Sequence, residues 1–169
     1  MSTLTAKDLI GSMTALLTPM SSNGSIDYKQ WCQLLSWQIK AKTTAVIVAG
    51  TTGESALLDE SEIEELIKLA VKMCSGTKTK VIVGTGHIKT HEIIVKNNKA
   101  KELGADAVLI VTPYYIRTTQ TGLIKHFTDI ADVSQLPIIL YNVPSRTQND
   151  LLVKSTIKLA RHNNIIGIK

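Results

Sequence analysis

A chain of 169 residues with 44% hydrophobic and 20% charged side chains has the length and composition of one globular domain with a sizeable core. Its net charge of +5 is spread along the chain, and a single phenylalanine leaves no interleaving of aromatic and basic residues such as nucleic-acid surfaces use. Apolar runs such as Thr44–Gly50 are too short to span a membrane, and Met1–Lys7 lacks a signal-peptide core, so a cytoplasmic location is expected, with Cys32 and Cys74 as reduced thiols.

Strand-like apolar runs alternate with helical ones along the chain. Strands are expected over Ser12–Thr18, Thr44–Gly50, Lys80–Gly86, Ala107–Pro113, Pro137–Val143 and Ile165–Lys169. Helices are expected near Tyr28–Lys42, Glu60–Cys74, His91–Leu103, Thr121–Val133 and Leu151–His162. The strands are continuous apolar runs, as when both sheet faces are buried. In the second helix Ile63, Leu66, Ile67, Ala70, Val71 and Cys74 form one stripe at helical spacing. Asp59 and Glu62 have the spacing of a capping box ahead of it, and Leu58 with Ile63 that of a hydrophobic staple. Leu123, Ile124, Phe127, Ile130 and Ala131 repeat the stripe in the fourth helix, and Gly104 stands where the third needs a left-handed exit. Strict alternation predicts a parallel sheet with right-handed crossovers, in one domain over residues 1–169. The sheet is either open and doubly wound or part of a (β/α)8 barrel. No G-x-G-x-x-G follows the first strand, which counts against a dinucleotide fold.

Polar residues collect just past the strand C-termini, the edge at which parallel α/β folds bind ligands. Gly50-Thr51-Thr52-Gly53 reads either as an anion-binding turn, with close backbone approach and two hydroxyls, or as an ordinary βα turn. Arg146 offers a planar fork for a carboxylate, or is a solvated loop arginine. Lys169 is either a frayed terminal charge or an amine carried into a buried site. Simple alternation places Gly167 and Ile165 on its side of the strand and turns Ile166 and Ile168 toward the helices; Tyr141 likewise shares a face with Ile139 and Pro137. A desolvated amine forms a Schiff base with a carbonyl compound, and the iminium then eases deprotonation of the adjacent carbon. A phenol such as Tyr141 suits the proton shuttle, its alternative being a core aromatic with a rim hydroxyl. His87, His91, His126 and His162 read as surface residues, and no metal site is expected.

Taken in order, G-T-T-G-E-S at Gly50–Ser55, V-T-P-Y-Y at Val111–Tyr115, L-Y-N-V-P-S-R-T at Leu140–Thr147 and I-I-G-I-K at Ile165–Lys169 resemble the pyruvate-dependent class I aldolases. More narrowly, they resemble the dihydrodipicolinate synthase family, over Gly11–Lys169. The resemblance implies the N-terminal six strands of a (β/α)8 barrel, with the last two strands and the family's C-terminal helical region absent from these residues. It implies condensation of pyruvate with L-aspartate 4-semialdehyde in diaminopimelate and lysine biosynthesis. No cofactor is implied beyond a covalent pyruvate imine on Lys169, and the assembly implied is a homotetramer, a dimer of dimers. By resemblance Lys169 is the Schiff-base lysine, Tyr141 the proton donor and acceptor, and Thr51 and Tyr115 the other relay residues, Tyr115 reaching into a neighbouring subunit's site. Thr52, in the turn with Gly50 and Gly53, matches a contact to the pyruvate carboxylate, and Arg146 the group that receives the semialdehyde carboxylate. Ser55, Ala56, Tyr114 and Glu92 match a pocket through which lysine inhibits some members. Glu60 and Ile88 stand where those members carry histidine and asparagine, so lysine inhibition is not implied. Two other readings stay open: a pyruvate-dependent aldolase of the N-acetylneuraminate lyase or keto-sugar-acid type, against which Arg146 weighs, and a non-catalytic fragment with unpaired sheet edges.

Overall fold

The computed structural model describes residues 4–169. Its parallel strands β1 (Met13–Ala15), β2 (Ala45–Val48), β3 (Lys80–Gly84), β4 (Ala107–Val111), β5 (Ile138–Tyr141) and β6 (Ile165–Ile168) lie side by side in chain order. Helices α1 (Tyr28–Lys40), α2 (Glu60–Cys74), α3 (Thr90–Glu102) and α4 (Gln120–Val133) make the crossovers, while α5 (Pro144–Thr147) and α6 (Val153–Leu159) together join β5 to β6. Each expected strand is present at its centre, and the residues at its C-terminal end leave the ladder to build the rim.

Strand order and core division separate the two architectures that the sequence left open. A doubly wound sheet reverses its strand order and carries helices on both faces. Here the order runs unbroken from β1 to β6. Val46, Val48, Val81, Val83, Val108, Ile110, Ile138 and Leu140 join Trp31, Leu35, Leu66, Phe127 and Ile130 of the helices in one large core. The alternate residues Ala45, Ile47, Ile82, Ala107, Leu109 and Ile139 cluster with one another and with Leu4 on the opposite, helix-free face. Helices on one side and a small second core on the other are the wall of a (β/α)8 barrel, of which these strands form a part. Leu66 and Phe127 are fully buried in the larger core, where truncation of either to alanine costs about 2–5 kcal/mol.

Local chemistry sets the helix ends. Glu62 accepts a hydrogen bond from the Asp59 N–H at 2.9 Å, and Leu58 and Ile63 both pack against the large core, as the cap and staple spacings predict. Gly104 takes φ +93° after α3, and the Ala105 N–H returns to the Ala100 carbonyl at 3.0 Å, a closure that favours a residue without Cβ. After β5 the chain makes a full turn of helix, α5, because Pro144 at its first position presets the helical φ.

Two expectations are corrected here. Ile138 pairs with Ile165, but Ile139 pairs with Gly167 rather than Ile166, so β6 carries a surplus residue. The bulge breaks simple alternation: Ile165 faces the helices and Ile166 packs into the helix-free core, the reverse of the expected assignment. Beyond it Ile168 pairs with Leu140, which leaves Lys169 opposite Tyr141.

The histidines also differ from the surface reading, since only His91 is fully exposed. His126 is buried where α4 meets the start of α3, its Nδ1 2.9 Å from Thr90 Oγ1 and its ring edge-on to Phe127. It stands between Leu123 and Ile130 on the apolar stripe, so the packed face of α4 is wider than its apolar residues alone suggest. Burial pulls its pKa down to about 4. His162 is half-buried and meets Asp132 at 3.1 Å. Of the free cysteines, Cys32 is only half-buried, whereas burial pushes the Cys74 thiol up to about 11 and leaves it unreactive.

Candidate active site at the C-terminal rim

The rim is shaped first by Ala49, which follows β2 in the left-handed region at φ +54°. Its carbonyl presses against the backbone of Gly84, where a Cβ would collide with it. The chain then makes two tight turns: Gly53 N–H donates to the Gly50 carbonyl and Glu54 N–H to the Thr51 carbonyl, each at 3.1 Å. Thr18 pins the turn from β1, its hydroxyl donating to the Gly53 carbonyl at 2.8 Å in a buried contact. These bonds use the Gly53 N–H within the turn. Among the described residues the N–H groups of Thr51 and Thr52 donate to no protein acceptor, and both side chains are exposed. The free donors expected of an anion-binding turn therefore lie at Thr51 and Thr52 and not at Gly53.

Across the rim, Tyr141 closes β5 and Lys169 follows β6. The Lys169 N–H donates to the Leu140 carbonyl at 2.8 Å, and the Asn142 N–H to the Lys169 carbonyl at 3.0 Å, so the lysine backbone is held in the ladder beside β5. Its Nζ sits 4.5 Å from the centre of the Tyr141 ring, within cation–π range. Lys169 is exposed in the described chain. Arg146 lies on α5, its guanidinium exposed and in no ion pair among the described residues.

A cleft of about 790 Å³ opens between these loops. Gly50, Thr51, Tyr141 and Arg146 line it together, with Gly84, Leu109 and Val111 of the strands and with Glu54, Lys96 and Tyr114. Lys169 adjoins it through Tyr141. Thr52 and Gly53 belong to its wall turn without lining it. Tyr115 stands apart: it does not line the cleft and is 93% exposed at φ +70°.

Sequence reasoning passed over the buried polar residues that hold these loops. Thr112 and Thr147 meet hydroxyl to hydroxyl at 3.1 Å, and Asn149 bonds across from the loop after β5 to the loop after β4. Such residues near strand ends look like ordinary turn formers, although Thr112 and Thr147 stand within the motif segments and Asn149 lies two residues past one.

The model of the Dihydrodipicolinate synthetase family matches residues 8–169. The chain belongs to that family. Among its relatives, the 4-hydroxy-tetrahydrodipicolinate synthase of Thermodesulfovibrio yellowstonii is 45% identical over 159 residues, covering 94% of this chain and 54% of that protein. The crystal structure of dihydrodipicolinate synthase from Aquifex aeolicus superposes with a TM-score of 0.88 at 44% identity. The chloride-inhibited dihydrodipicolinate synthase from Acinetobacter baumannii, complexed with pyruvate, does so with a TM-score of 0.91 at 43% identity. Each of these structures matches 94% of this chain with 54% of its own. The chain thus spans about half the length of the curated relatives it matches. Among the described residues, no three His, Cys, Asp or Glu side chains gather as metal ligands, and no helix is long and apolar enough to cross a membrane.

Proposed function

We propose that the protein carrying this chain is a cytoplasmic 4-hydroxy-tetrahydrodipicolinate synthase, condensing pyruvate with L-aspartate 4-semialdehyde for diaminopimelate and lysine synthesis. The observation that carries this reading is the Lys169 amine resting against Tyr141, beside a cleft that also holds Thr51 and Arg146. Membership of the family and the pyruvate complex of the Acinetobacter relative support it.

In this reading the Lys169 Nζ adds to the ketone carbon of pyruvate, and loss of water leaves an imine, so no other cofactor enters. The protonated imine draws electrons from the methyl carbon, which gives up a proton and attacks the aldehyde carbon of the second substrate. The Tyr141 hydroxyl moves the protons, relayed by Thr51 and by Tyr115. Tyr115, exposed on its own subunit, serves a neighbour's site in a dimer of dimers. The free N–H groups and hydroxyls of Thr51 and Thr52 meet the pyruvate carboxylate, in a turn that Gly50 and Gly53 keep open to close approach. Arg146 takes the semialdehyde carboxylate in its planar fork, which favours this substrate over keto-sugar acids.

Incubation with pyruvate and borohydride, followed by peptide mass spectrometry, is expected to place one reduced adduct on Lys169. An adduct on a different lysine, or none, overturns the reading.

A further inference from the structure

Tyr115 presents a physical problem. A residue with a Cβ is held in the left-handed region, and at 93% exposure almost nothing packs against its side chain. Side-chain contacts therefore do not fix the phenol; only the backbone beneath it can. That backbone is gripped from one side. Asn149, itself 5% exposed, donates through Nδ2 to the Pro113 carbonyl at 2.7 Å and to the Ile116 carbonyl, and accepts at Oδ1 from the Thr118 N–H at 3.1 Å. The two carbonyls flank the Tyr114-Tyr115 step. Every hydrogen atom of the amide is used on that one loop.

Asn149 is in turn anchored from below. Its carbonyl accepts from the Thr147 hydroxyl at 3.0 Å, and Thr147 meets Thr112 at the end of β4. The loop that bears Arg146 and the loop that bears Tyr115 are thereby tied through one side chain.

We propose that Asn149 is a positioning residue for Tyr115, clamping the left-handed turn that directs its phenol out of the subunit. The proposal rests on the reading of Tyr115 as a group that serves a neighbouring site.

Two measurements on the intact protein test it. Hydrogen exchange followed by mass spectrometry reads the clamp without reference to activity. In Asn149→Ala the 113–118 segment is expected to exchange at least about tenfold faster while β4 and α4 keep their protection. Uniform acceleration across the chain, or none, overturns the proposal. The second measurement is a double-mutant cycle with Tyr115→Phe. Asn149→Ala alone is expected to lower kcat about tenfold with KM for pyruvate within about twofold, and to add less than about twofold once Tyr115 is Phe. Losses that multiply independently overturn it. If borohydride trapping at Lys169 fails in the unaltered protein, the synthase reading falls, and the exchange experiment still decides the clamp. Should Asn149→Ala not fold, Asn149→Ser keeps a hydroxyl for one carbonyl and takes its place. Failure of both to fold overturns the proposal, since the amide would then support the whole fold and not one loop.

Discussion

Ala49 and Gly84 meet backbone to backbone at the C-terminal rim, so closely that only a residue without a side chain fits beside the Ala49 carbonyl. The left-handed turn at Ala49 launches the Gly50-Thr51 segment across the cleft, and Gly84 gives it room. Gly84→Ala is therefore expected to destabilise the protein by about 2 kcal/mol or more, because either Ala49 must leave its conformation or β3 must shift. Urea unfolding measures this as a lower midpoint at unchanged slope, and pyruvate trapping at Lys169 should fall alongside it. An unshifted midpoint refutes the clash.

The placement of Tyr141 beneath the Lys169 amine makes a kinetic distinction. Tyr141→Phe keeps the ring and the cation–π contact but removes the hydroxyl. Turnover is expected to fall on the order of 10²-fold while borohydride-trapped pyruvate stays near the level of the unaltered protein. Equal loss in both steps removes Tyr141 from the shuttle.

Arg146 is exposed at the cleft edge, in no ion pair among the described residues, and its guanidinium is open to an incoming carboxylate. Arg146→Ala is expected to raise KM for the semialdehyde about tenfold or more and leave pyruvate trapping unchanged, with Arg146→Lys recovering only part for want of the planar fork. Steady-state kinetics with each substrate varied in turn checks both statements.

Acid sensitivity follows from His126. Its pKa is about 4 when folded, against an ordinary value of 6.5, because the buried ring is costly to charge. The unfolded chain thus takes up the proton more readily. Stability from this group is complete above pH about 6.5, is lost as pH falls toward about 4, and is flat below that, with a total change on the order of 3 kcal/mol. Among the described residues the buried Nε2 has no partner, which leaves the charged ring nowhere to donate a second hydrogen bond. His126→Gln is expected to flatten thermal stability between pH 6.5 and 4 relative to the unaltered protein. An identical pH profile in the variant excludes His126 as the cause.

Much of the architecture is legible in the amino acids because it rests on repeated patterns. The stripe through Leu66, Ile67 and Ala70 marks a helix with one face to bury, and Asp59 with Glu62 marks where that helix starts. The motif segments after β2, β4 and β5 reach one rim for the same reason, since parallel strands end on a common edge. What escapes such reading depends on single residues without a pattern. His126 is buried because Thr90 on another helix offers it a partner, a contact that no local periodicity encodes. Asn149 and Thr147 look like turn residues until the loops they bind are seen across from them. Tyr115 carries a motif position, yet its exposure follows from one left-handed angle that its own sequence does not announce.

The surplus residue in β6 has a consequence for how this chain tolerates change. Strict alternation through every residue from Ile165 to Lys169, with no bulge, would place Lys169 among the helices, on the wrong side of the wall from Tyr141. The bulge acts as a half-step that reverses the phase just before the lysine arrives. Deleting Ile168, beyond the bulge, would thus leave every functional side chain in the chain intact and still turn the amine to the helix face, out of reach, whereas deleting the surplus Ile166 would keep Lys169 opposite Tyr141. Point substitutions in Ile165–Ile168 should be absorbed according to size. A change of length by one beyond the bulge should silence the rim, a frame error in three dimensions with the reading frame of the gene untouched.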